Sequence, residues 1–279
     1  MPQLAANLTM MYTELPFLER FEAAARDGFK GVEYLFPYAY SKQELADRLH
    51  AHGLSQVLFN APAGGLDAAS MDAAWGSGQR GTACIPGKEQ EFQAGVLLAL
   101  DYAEDLSCPR IHTMAGLLPQ GVAYEQALTT YIGNLKWAAA QAAQCGRDVL
   151  IEPINTRDMP GFFLNLQEQA HHILQQVGAD NLKVQMDLYH CQIMEGDLAT
   201  KIRKYLPTGR VGHLQIAGVP ERQEPDVGEL NYTYLLKVLD EVAATCGWTG
   251  WVGCEYKPKL GGQAGGTSAG LGWVHSHKT

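Results

Sequence analysis

Three acidic residues lie near the ends of apolar segments, at positions where an isolated charge is costly. Glu152 lies in DVLIEP, Asp187 in LKVQMDL and Glu255 in WVGCEY. Moving an unpaired charge from water into an apolar interior costs several kcal/mol. If the three side chains meet at one place, their mutual repulsion requires protons or a cation nearby. A divalent cation would remove this conflict and could act as a Lewis acid on a bound substrate.

Further polar residues accompany these acids. Period two along VGHLQIA places His213 and Gln215 on one face of a strand, and Glu33 in GVEYL adds another carboxylate. Carboxylates with an amide carbonyl form a hard oxygen set, which favours Mg²⁺ or Mn²⁺ over Zn²⁺. Taken singly, each acid could instead cap a helix or pair at the surface, and His213 could be a hydrogen-bonded core residue. Three acids at the ends of three inferred strands favour a functional site.

The elements that must position these residues alternate between short β-rich runs and longer helical patterns. The runs cover residues 4–9, 31–35, 55–60, 110–114, 148–153, 182–188, 211–217 and 251–256. Alternating βα units imply a parallel sheet, and eight of them without a linker predict a single (β/α)₈ TIM barrel over residues 1–279. An open doubly wound sheet is the alternative, but neither G-x-G-x-x-G nor G-x-x-x-x-G-K follows the first run.

Composition and charge narrow the class of protein. The chain has 279 residues, a formal net charge of -9 and no basic run with interleaved aromatics, which argues against nucleic acid as a partner. No signal peptide or membrane-spanning run is evident, and six scattered cysteines indicate reduced thiols. We therefore expect a cytoplasmic protein that acts on a small molecule. Exposed aromatic residues on the helices would allow a homo-oligomer.

Residues 63–87 form an insertion that is long for a connection between a strand and a helix. Its Gly-rich and Ala-rich composition makes it a candidate lid over the barrel mouth, with an inconsequential surface insertion as the alternative. Pocket walls are predicted from apolar residues elsewhere, which could equally be core residues: Phe36, Tyr38, Phe59, Met114 and Trp273.

Several stretches of the chain resemble the hydroxypyruvate isomerase family, which includes the bacterial 2-oxo-tetronate isomerases. The resemblance covers nearly the whole chain and is carried by ANLTMMYTELPFLERF, GVEYLFPY, IEPIN, MDLYH, GHLQIAGVPERQEPDVGELNY and GCEYKP. The family belongs to the wider group of xylose-isomerase-like barrels, which also contains ketose 3-epimerases and endonuclease IV. The resemblance thus implies the same barrel that the alternating pattern predicts.

The resemblance also implies roles for individual residues. Glu152 and Glu255 would transfer protons and bind the metal, with Asp187 and Gln215 completing the ligand set. The related epimerases have a histidine at the position of Gln215, so this chain departs toward oxygen ligation. Mg²⁺ is therefore expected, with Mn²⁺ as the alternative.

By the same analogy, His190 and Arg222 would contact substrate oxygens. A substrate that carries a carboxylate needs a cationic anchor, for which Arg222, Lys257 and His190 are candidates. Either Arg222 or Lys257 could instead form a salt bridge at the rim. His112 ends the fourth run and is expected to face the pocket, although core packing explains it nearly as well.

The expected activity is a metal-assisted aldose-ketose-type isomerisation through an enediolate. The leading expectation is conversion of hydroxypyruvate to tartronate semialdehyde, and the alternative is conversion of a 2-oxo-tetronate to its 3-oxo isomer. Two functions of other classes remain open: an endonuclease IV-like phosphodiester hydrolase and a non-catalytic sugar-acid binding protein. The small number of histidines at the inferred site argues against a zinc-cluster hydrolase.

Overall fold

A closed barrel of eight parallel strands forms the centre of the computed structural model, which describes residues 2–276. Each strand pairs with its neighbours in chain order, and the first strand closes the barrel against the eighth. The strands are Gln3–Asn7 (β1), Gly31–Tyr34 (β2), Ser55–Asn60 (β3), Arg110–His112 (β4), Asp148–Ile151 (β5), Leu182–Asp187 (β6), Val211–Ile216 (β7) and Trp251–Cys254 (β8). The predicted (β/α)₈ fold is confirmed, while Met1 and residues 277–279 of the predicted range lie outside the described residues.

Helices surround the barrel on its outer face. They are Arg20–Arg26 (α1), Lys42–His52 (α2), Ala68–Gly76 (α3), Glu89–Asp105 (α4), Tyr124–Gln144 (α5), Gln167–Val177 (α6), Leu188–Met194 (α7), Leu198–Tyr205 (α8), Tyr232–Cys246 (α9), Gly266–Ala269 (α10) and Gly272–Ser276 (α11). Two short 3-10 turns precede α1 and follow α8, at Phe17–Glu19 and Leu206–Thr208. In the part of the chain that the structure describes, no helix combines the length and the apolar character needed to cross a membrane.

Local sequence signals explain where the helices begin and end. The α2 helix begins at a capping box. The Ser41 hydroxyl accepts from the Glu44 backbone N–H, and the Glu44 carboxylate accepts from the Ser41 backbone N–H. It ends at Gly53, whose positive φ suits glycine. Apolar residues of α4 and α5 recur at helical spacing and pack on the strands, which buries the outer face of the sheet.

The inside of the barrel changes from apolar to polar along its axis. Ala5, Val57, Leu58 and Leu150 form a small apolar cluster. Two residues further along their strands, Ala5 is followed by Asn7 and Leu150 by Glu152, so polar groups occupy the next layer. The C-terminal ends of the strands therefore surround a polar cavity, the usual position of an active site in this fold.

Candidate active site

A cavity of about 640 Å³, including its open mouth, lies at the C-terminal ends of the strands. Its polar lining includes most of the residues that the sequence singled out: Glu152, Gln215, Glu255, His112, His190 and Arg222. Apolar side chains from loops and from α3 form the remaining walls, among them Met114, Ile154, Met159 and Trp75. The cavity has the size of a small-molecule site and combines polar groups from the strand ends with these apolar walls.

Three buried acids form the centre of the site, and we name Glu152, Asp187 and Glu255 the carboxylate cluster. Glu152 directly follows β5, Asp187 ends β6 and Glu255 directly follows β8. One ligand atom from each, together with a ring nitrogen of His190, lies within 4.8 Å of the other three. Asp187 pairs in register with Gln215 on β7, which brings this amide beside the cluster. The structure thus assembles all four predicted metal ligands at one end of the barrel.

The carboxylate cluster suits a divalent cation. Oε1 of Glu152 and Oδ2 of Asp187 are buried without a hydrogen-bond partner. Burial raises the pKa of Asp187 to about 6 and that of Glu255 to about 8, partly offset by Arg222. Burial and then the charges of Glu255 and Asp187 raise the pKa of Glu152 well above its usual range. The cluster therefore takes up protons when nothing else neutralises it, and its orphaned oxygens fit a cation that prefers oxygen ligands.

Arg222 supplies a positive charge at the cluster. Its Nη2 donates to Oε2 of Glu255 at 2.7 Å and lies 3.7 Å from Oδ2 of Asp187. The guanidinium also lies over the ring of Tyr189, with 4.9 Å from its carbon to the ring centroid. Its Nε is buried and has no partner. When all three carboxylates are ionised, the one guanidinium leaves a net charge of two negative units. A divalent cation would balance this charge.

Hydrogen bonds define the tautomer of His190. The backbone N–H of Asp158 donates to Oδ1 of Asn155 at 2.8 Å, so the Asn155 amino group lies at the other end of the amide. That amino group is 2.6 Å from Nδ1 of His190, which must therefore accept. Burial lowers the pKa of His190 well below its usual range, so the ring is neutral and carries its proton on Nε2. Nε2 lies 3.6 Å from Asp187 and 3.8 Å from Glu152, beyond hydrogen-bond distance, and in this tautomer it can donate but cannot bind a metal.

His112 faces the same cavity from β4. Its Nδ1 is 3.2 Å from Oδ1 of Asn60 and 3.8 Å from Oε2 of Glu152. Burial lowers the pKa of His112 to about 3, so this imidazole is also neutral. With the proton on Nδ1, the unpartnered Nε2 of His112 is an acceptor at the cavity wall.

Lys257 does not enter the cavity, which corrects one predicted substrate contact. After β8, Glu255 points inward, Tyr256 packs outward against Trp273, and the Lys257 side chain is exposed. Its backbone N–H donates to the carbonyl of Arg222 at 2.7 Å. Lys257 thus supports the loop that carries Arg222 through its backbone, while its side chain lies exposed beyond the end of β8.

Only part of the predicted wall lines the cavity. Met114 does so, but Phe36 and Tyr38 line a smaller neighbouring cavity. Trp273 is buried in the core against Tyr256, and Phe59 is buried on β3. Trp75 of α3, which the sequence gave no reason to select, separates the two cavities and lines both.

Further polar residues of the site escaped prediction from the sequence. They are Asn7, Asn60, Asn155 and Asp158. Asn155 follows Glu152 by three residues in IEPIN, and this spacing was the one signal that could have indicated it. His213, left ambiguous by the sequence, is a core residue whose Nε2 lies 2.6 Å from Oε2 of Glu33.

The chain is a closed (β/α)₈ barrel with buried carboxylates at the ends of its fifth, sixth and eighth strands, and this cluster could hold a metal ion. The model of the xylose isomerase-like TIM barrel family matches residues 21–277, and the chain belongs to this family. Its relatives narrow the class: it is 53% identical to the 2-oxo-tetronate isomerase of Cupriavidus necator over 98% of each chain. It is 43% identical to the hydroxypyruvate isomerase of Escherichia coli over the full length of both.

These relatives confirm the resemblance read from the sequence and show an enzyme of the isomerase class, which acts on a small molecule. Among solved structures, a Brucella melitensis protein described as an AP endonuclease of family 2 superposes with a TM-score of 0.90. It is 46% identical, and the match covers 99% of each chain. The names of the family model and of this solved structure agree with the wider group of xylose-isomerase-like barrels that the sequence indicated.

Proposed function

We propose that the protein is a metal-assisted isomerase that moves a carbonyl group between adjacent carbons of a short hydroxy-oxo acid. The observation that carries this proposal is the convergence of three buried carboxylates with two unpartnered oxygens on a cavity of small-molecule size. Such a site can hold one divalent cation and still present carboxylates to a substrate. The names of the similar isomerases support the same reaction class.

Proton transfer is assigned to Glu152 and Glu255. The reaction removes a proton from the carbon beside the carbonyl and returns one at the neighbouring carbon, so two positioned carboxylates suffice. The two residues follow β5 and β8 and therefore reach the cavity from different parts of its rim. A divalent cation held by Glu152, Asp187, Gln215 and Glu255 would stabilise the negative charge that develops on the enediolate oxygens. Mg²⁺ is the proposed ion, and Mn²⁺ the alternative.

His190 and Arg222 are assigned to the substrate. The Nε2–H of His190 points into the cavity as a neutral donor for a hydroxyl or carbonyl oxygen. The unpartnered Nε of Arg222 is available for a carboxylate of the substrate, and a cation at the cluster would take over the neutralisation that Nη2 provides to Glu255. The Nε2 of His112 can accept from a substrate hydroxyl.

The substrate we propose is a 2-oxo-tetronate, with hydroxypyruvate as the second candidate. The relative that is 53% identical carries the first name, and one that is 43% identical carries the second. The two acids share the reacting carbons and differ by one hydroxymethyl group at the end away from the carboxylate. That end would lie against the apolar wall formed by Trp75, Met114 and Met159.

Residues 63–87 are proposed to cover the substrate. The α3 helix in this segment begins at a capping box between Asp67 and Ser70, and its Trp75 reaches the cavity. The base of the segment is closed by a hydrogen bond of 3.0 Å from the Gly81 N–H to the Ala63 carbonyl. A helix held at its base and touching the cavity with one aromatic ring is suited to excluding water.

We also infer that the enzyme works in the cytoplasm. The six cysteines all have free thiols, four of them buried, which suits a reducing compartment. The acidic net charge gives no reason to expect nucleic acid as a substrate. Self-association stays a prediction.

The test of the proposed function is isomerisation of a panel of three- and four-carbon oxo acids, followed by ¹³C NMR of the carbonyl resonances. Each acid is incubated with the protein in EDTA, and again with excess Mg²⁺ or Mn²⁺. We expect conversion of a 2-oxo-tetronate, with hydroxypyruvate slower, and none in EDTA. No conversion of any acid with either metal would contradict the proposal and favour a binding protein.

A further inference from the structure

A second acidic layer lies beneath the carboxylate cluster and centres on Glu33. This residue belongs to β2, and its side chain is 1% exposed. It lies over β8 at Gly253, where a Cβ atom would overlap the Glu33 carboxylate. Gly253 pairs in register with Gln215, so Glu33 occupies the barrel axis directly beside that amide. The chain thus leaves space at Gly253 for a buried carboxylate that the reaction itself does not require.

Every polar contact of the Glu33 carboxylate comes from a group that can donate. Oε1 accepts from Nδ2 of Asn7 at 2.9 Å and from Nε2 of Gln215 at 2.8 Å. Oε2 lies 2.6 Å from Nε2 of His213. A carboxylate only accepts hydrogen bonds, so these partners match its chemistry on both oxygens. Such a fully bonded group holds its neighbours in one orientation.

The orientation of Gln215 matters because the two ends of an amide differ as metal ligands. Only the carbonyl oxygen binds a hard cation, whereas the amino group repels one. Glu33 holds the amino end of Gln215, and Nε2 of Gln185 donates to the carbonyl end at 2.6 Å. Without the Glu33 carboxylate, the amide of Gln215 could rotate by half a turn and exchange the positions of its carbonyl and amino ends.

We propose that Glu33 is a positioning residue that keeps the carbonyl oxygen of Gln215 available to the cation. The proposal rests on the metal site proposed above. Glu33 lines the cavity but hydrogen-bonds Asn7, Gln215 and His213 rather than the carboxylate cluster, and its proposed role is exerted through Gln215. Partners of metal ligands commonly change metal affinity by ~10–100-fold when they are removed.

The experiment measures Mn²⁺ binding by titration calorimetry after removal of all metal with EDTA and dialysis. We expect Glu33→Gln to weaken Mn²⁺ binding by ~10–100-fold, because an amide at position 33 cannot accept from Asn7, Gln215 and His213 together. The matched control is Glu224→Gln, which removes another buried carboxylate, one that accepts from the Lys259 N–H outside the cavity. The Mn²⁺ affinity of Glu224→Gln should stay within about twofold of that of the parent.

A second variant separates orientation from charge. Gly253→Ala keeps the Glu33 charge but places a methyl group where the carboxylate lies. Weaker Mn²⁺ binding by both variants supports positioning, and thermal unfolding in EDTA shows that each metal-free variant is folded. If Gly253→Ala binds Mn²⁺ as tightly as the parent, only the charge matters and the proposal is overturned.

Parental affinity in Glu33→Gln would also overturn it. Should Glu33→Gln fail to fold, Gly253→Ala decides alone. A parent protein that binds no Mn²⁺ is a distinguishable result, because it would overturn the proposed metal site and this inference with it.

Discussion

At the scale of single residues, the site contains more acidic than basic side chains in a polar cavity. Glu152, Asp187 and Glu255 are buried together, and Arg222 is the cation that contacts them in the described part of the chain. The imidazoles of His112 and His190 are neutral because burial lowers the pKa of each. Arg222 balances part of the negative charge of the three carboxylates, so the cluster could hold a divalent cation.

Arg222→Lys tests the role of the guanidinium. We expect KM for the oxo acid to rise by ~10–100-fold with a smaller change in kcat, because the single nitrogen of an ammonium group cannot replace the planar fork, whose separate nitrogens face Glu255 and a substrate carboxylate. Steady-state kinetics with saturating Mg²⁺ measure this split. The matched control is Arg157→Lys, since Arg157 lies at the rim and donates to Tyr189 and the Pro220 carbonyl. Equal effects of the two substitutions on KM would contradict the assignment.

At the scale of elements, strands and helices contribute in different ways to the site. The strands bring Glu152, Asp187, Gln215 and Glu255 together at the C-terminal end of the barrel, and the period of two along each strand makes the face of each side chain predictable. The α3 helix adds Trp75 from an insertion whose conformation depends on local capping. Two cavities meet at this ring, so α3 limits the length of the space available to a substrate.

Trp75→Ala is expected to lengthen the substrate range. Removing the indole would join the cavity to the neighbouring one lined by Phe36, Tyr38 and Met71. The kcat/KM for five- and six-carbon oxo acids should rise by ~10–100-fold relative to the four-carbon acid, since each added carbon group contributes ~1–3 kcal/mol in an apolar pocket. Trp75→Phe, which keeps an aromatic wall, is the control. An unchanged ratio in Trp75→Ala would show that α3 does not set substrate length.

The contact between α6 and α8 predicts a pH dependence of stability. The His171 ring stacks on Tyr205 at 4.1 Å between centroids. Burial and then the charges of Lys204 and Arg210 lower the pKa of His171 to about 4. The unfolded chain therefore binds one more proton than the folded chain between pH ~6.5 and ~4, so stability is lost as the pH falls through this range.

His171→Phe keeps the stacked ring and removes this titration. Between pH 7.5 and 5.5, the parent should lose up to ~1 kcal/mol more unfolding free energy than the variant, a value reduced for the partial exposure of His171. Urea unfolding at the two pH values measures the difference. Identical losses in the two proteins would show that His171 does not titrate in this way.

Strands and site were predictable to different degrees. Apolar runs such as VLI before Glu152 indicate buried parallel strands without knowledge of the fold, and all eight were found. The runs predicted at 110–114 and 148–153 end two residues early, because Thr113 and Glu152 leave the sheet ladder where the site begins. Boundaries of this kind depend on tertiary contacts that periodicity does not describe.

Residues that work across the barrel could not be predicted. The partnership of Asn7, Glu33 and Gln215 joins positions separated by up to 208 in sequence number, and no local spacing indicates it. Trp273 was expected at the pocket because it is aromatic. Apolar character predicts that a side chain is buried, but not whether it faces the cavity or the core. Lys257 was expected there because it follows Glu255 closely, but β8 ends at Cys254 and the chain has left the strand before Lys257, whose side chain is exposed.

At the scale of the whole molecule, a closed barrel joins the site to the stability of the fold. The proposed ligands come from β5, β6, β7 and β8, which are four consecutive strands of the barrel. A cation bound to them would therefore link these strands. Anything that binds the folded state alone raises the free energy of unfolding by mass action. Metal binding and global stability should therefore change together.

Metal removal is predicted to lower stability. At a Mg²⁺ concentration of ~100 times the measured Kd, the free energy of unfolding should exceed that in EDTA by ~2.7 kcal/mol. At ~2–4 °C per kcal/mol for a chain of this size class, this corresponds to a rise in Tm of roughly 5–11 °C. Differential scanning calorimetry measures the shift, with Glu152→Gln as a variant that should show less of it. A Tm that neither Mg²⁺ nor Mn²⁺ changes would contradict a structural cation site.

The similarity to a protein described as an AP endonuclease makes nucleic acid binding worth testing directly. With a formal net charge of -9, the protein should not retain double-stranded DNA on a gel at low salt. DNA carrying an abasic site should be neither retained nor cleaved with Mg²⁺, Mn²⁺ or Zn²⁺. Cleavage that is lost in Glu152→Gln would place the hydrolase function ahead of the isomerase.

The most direct measurement of the central claim follows deuterium from solvent into a confirmed substrate by NMR in D₂O. We predict that the parent protein with Mg²⁺ incorporates deuterium at the carbon beside the carbonyl, and that EDTA stops the exchange. Glu152→Gln and Glu255→Gln should each slow it by ~100-fold or more, because each variant removes a carboxylate that transfers the proton. Exchange at the parental rate in both variants would show that these carboxylates do not carry the reaction.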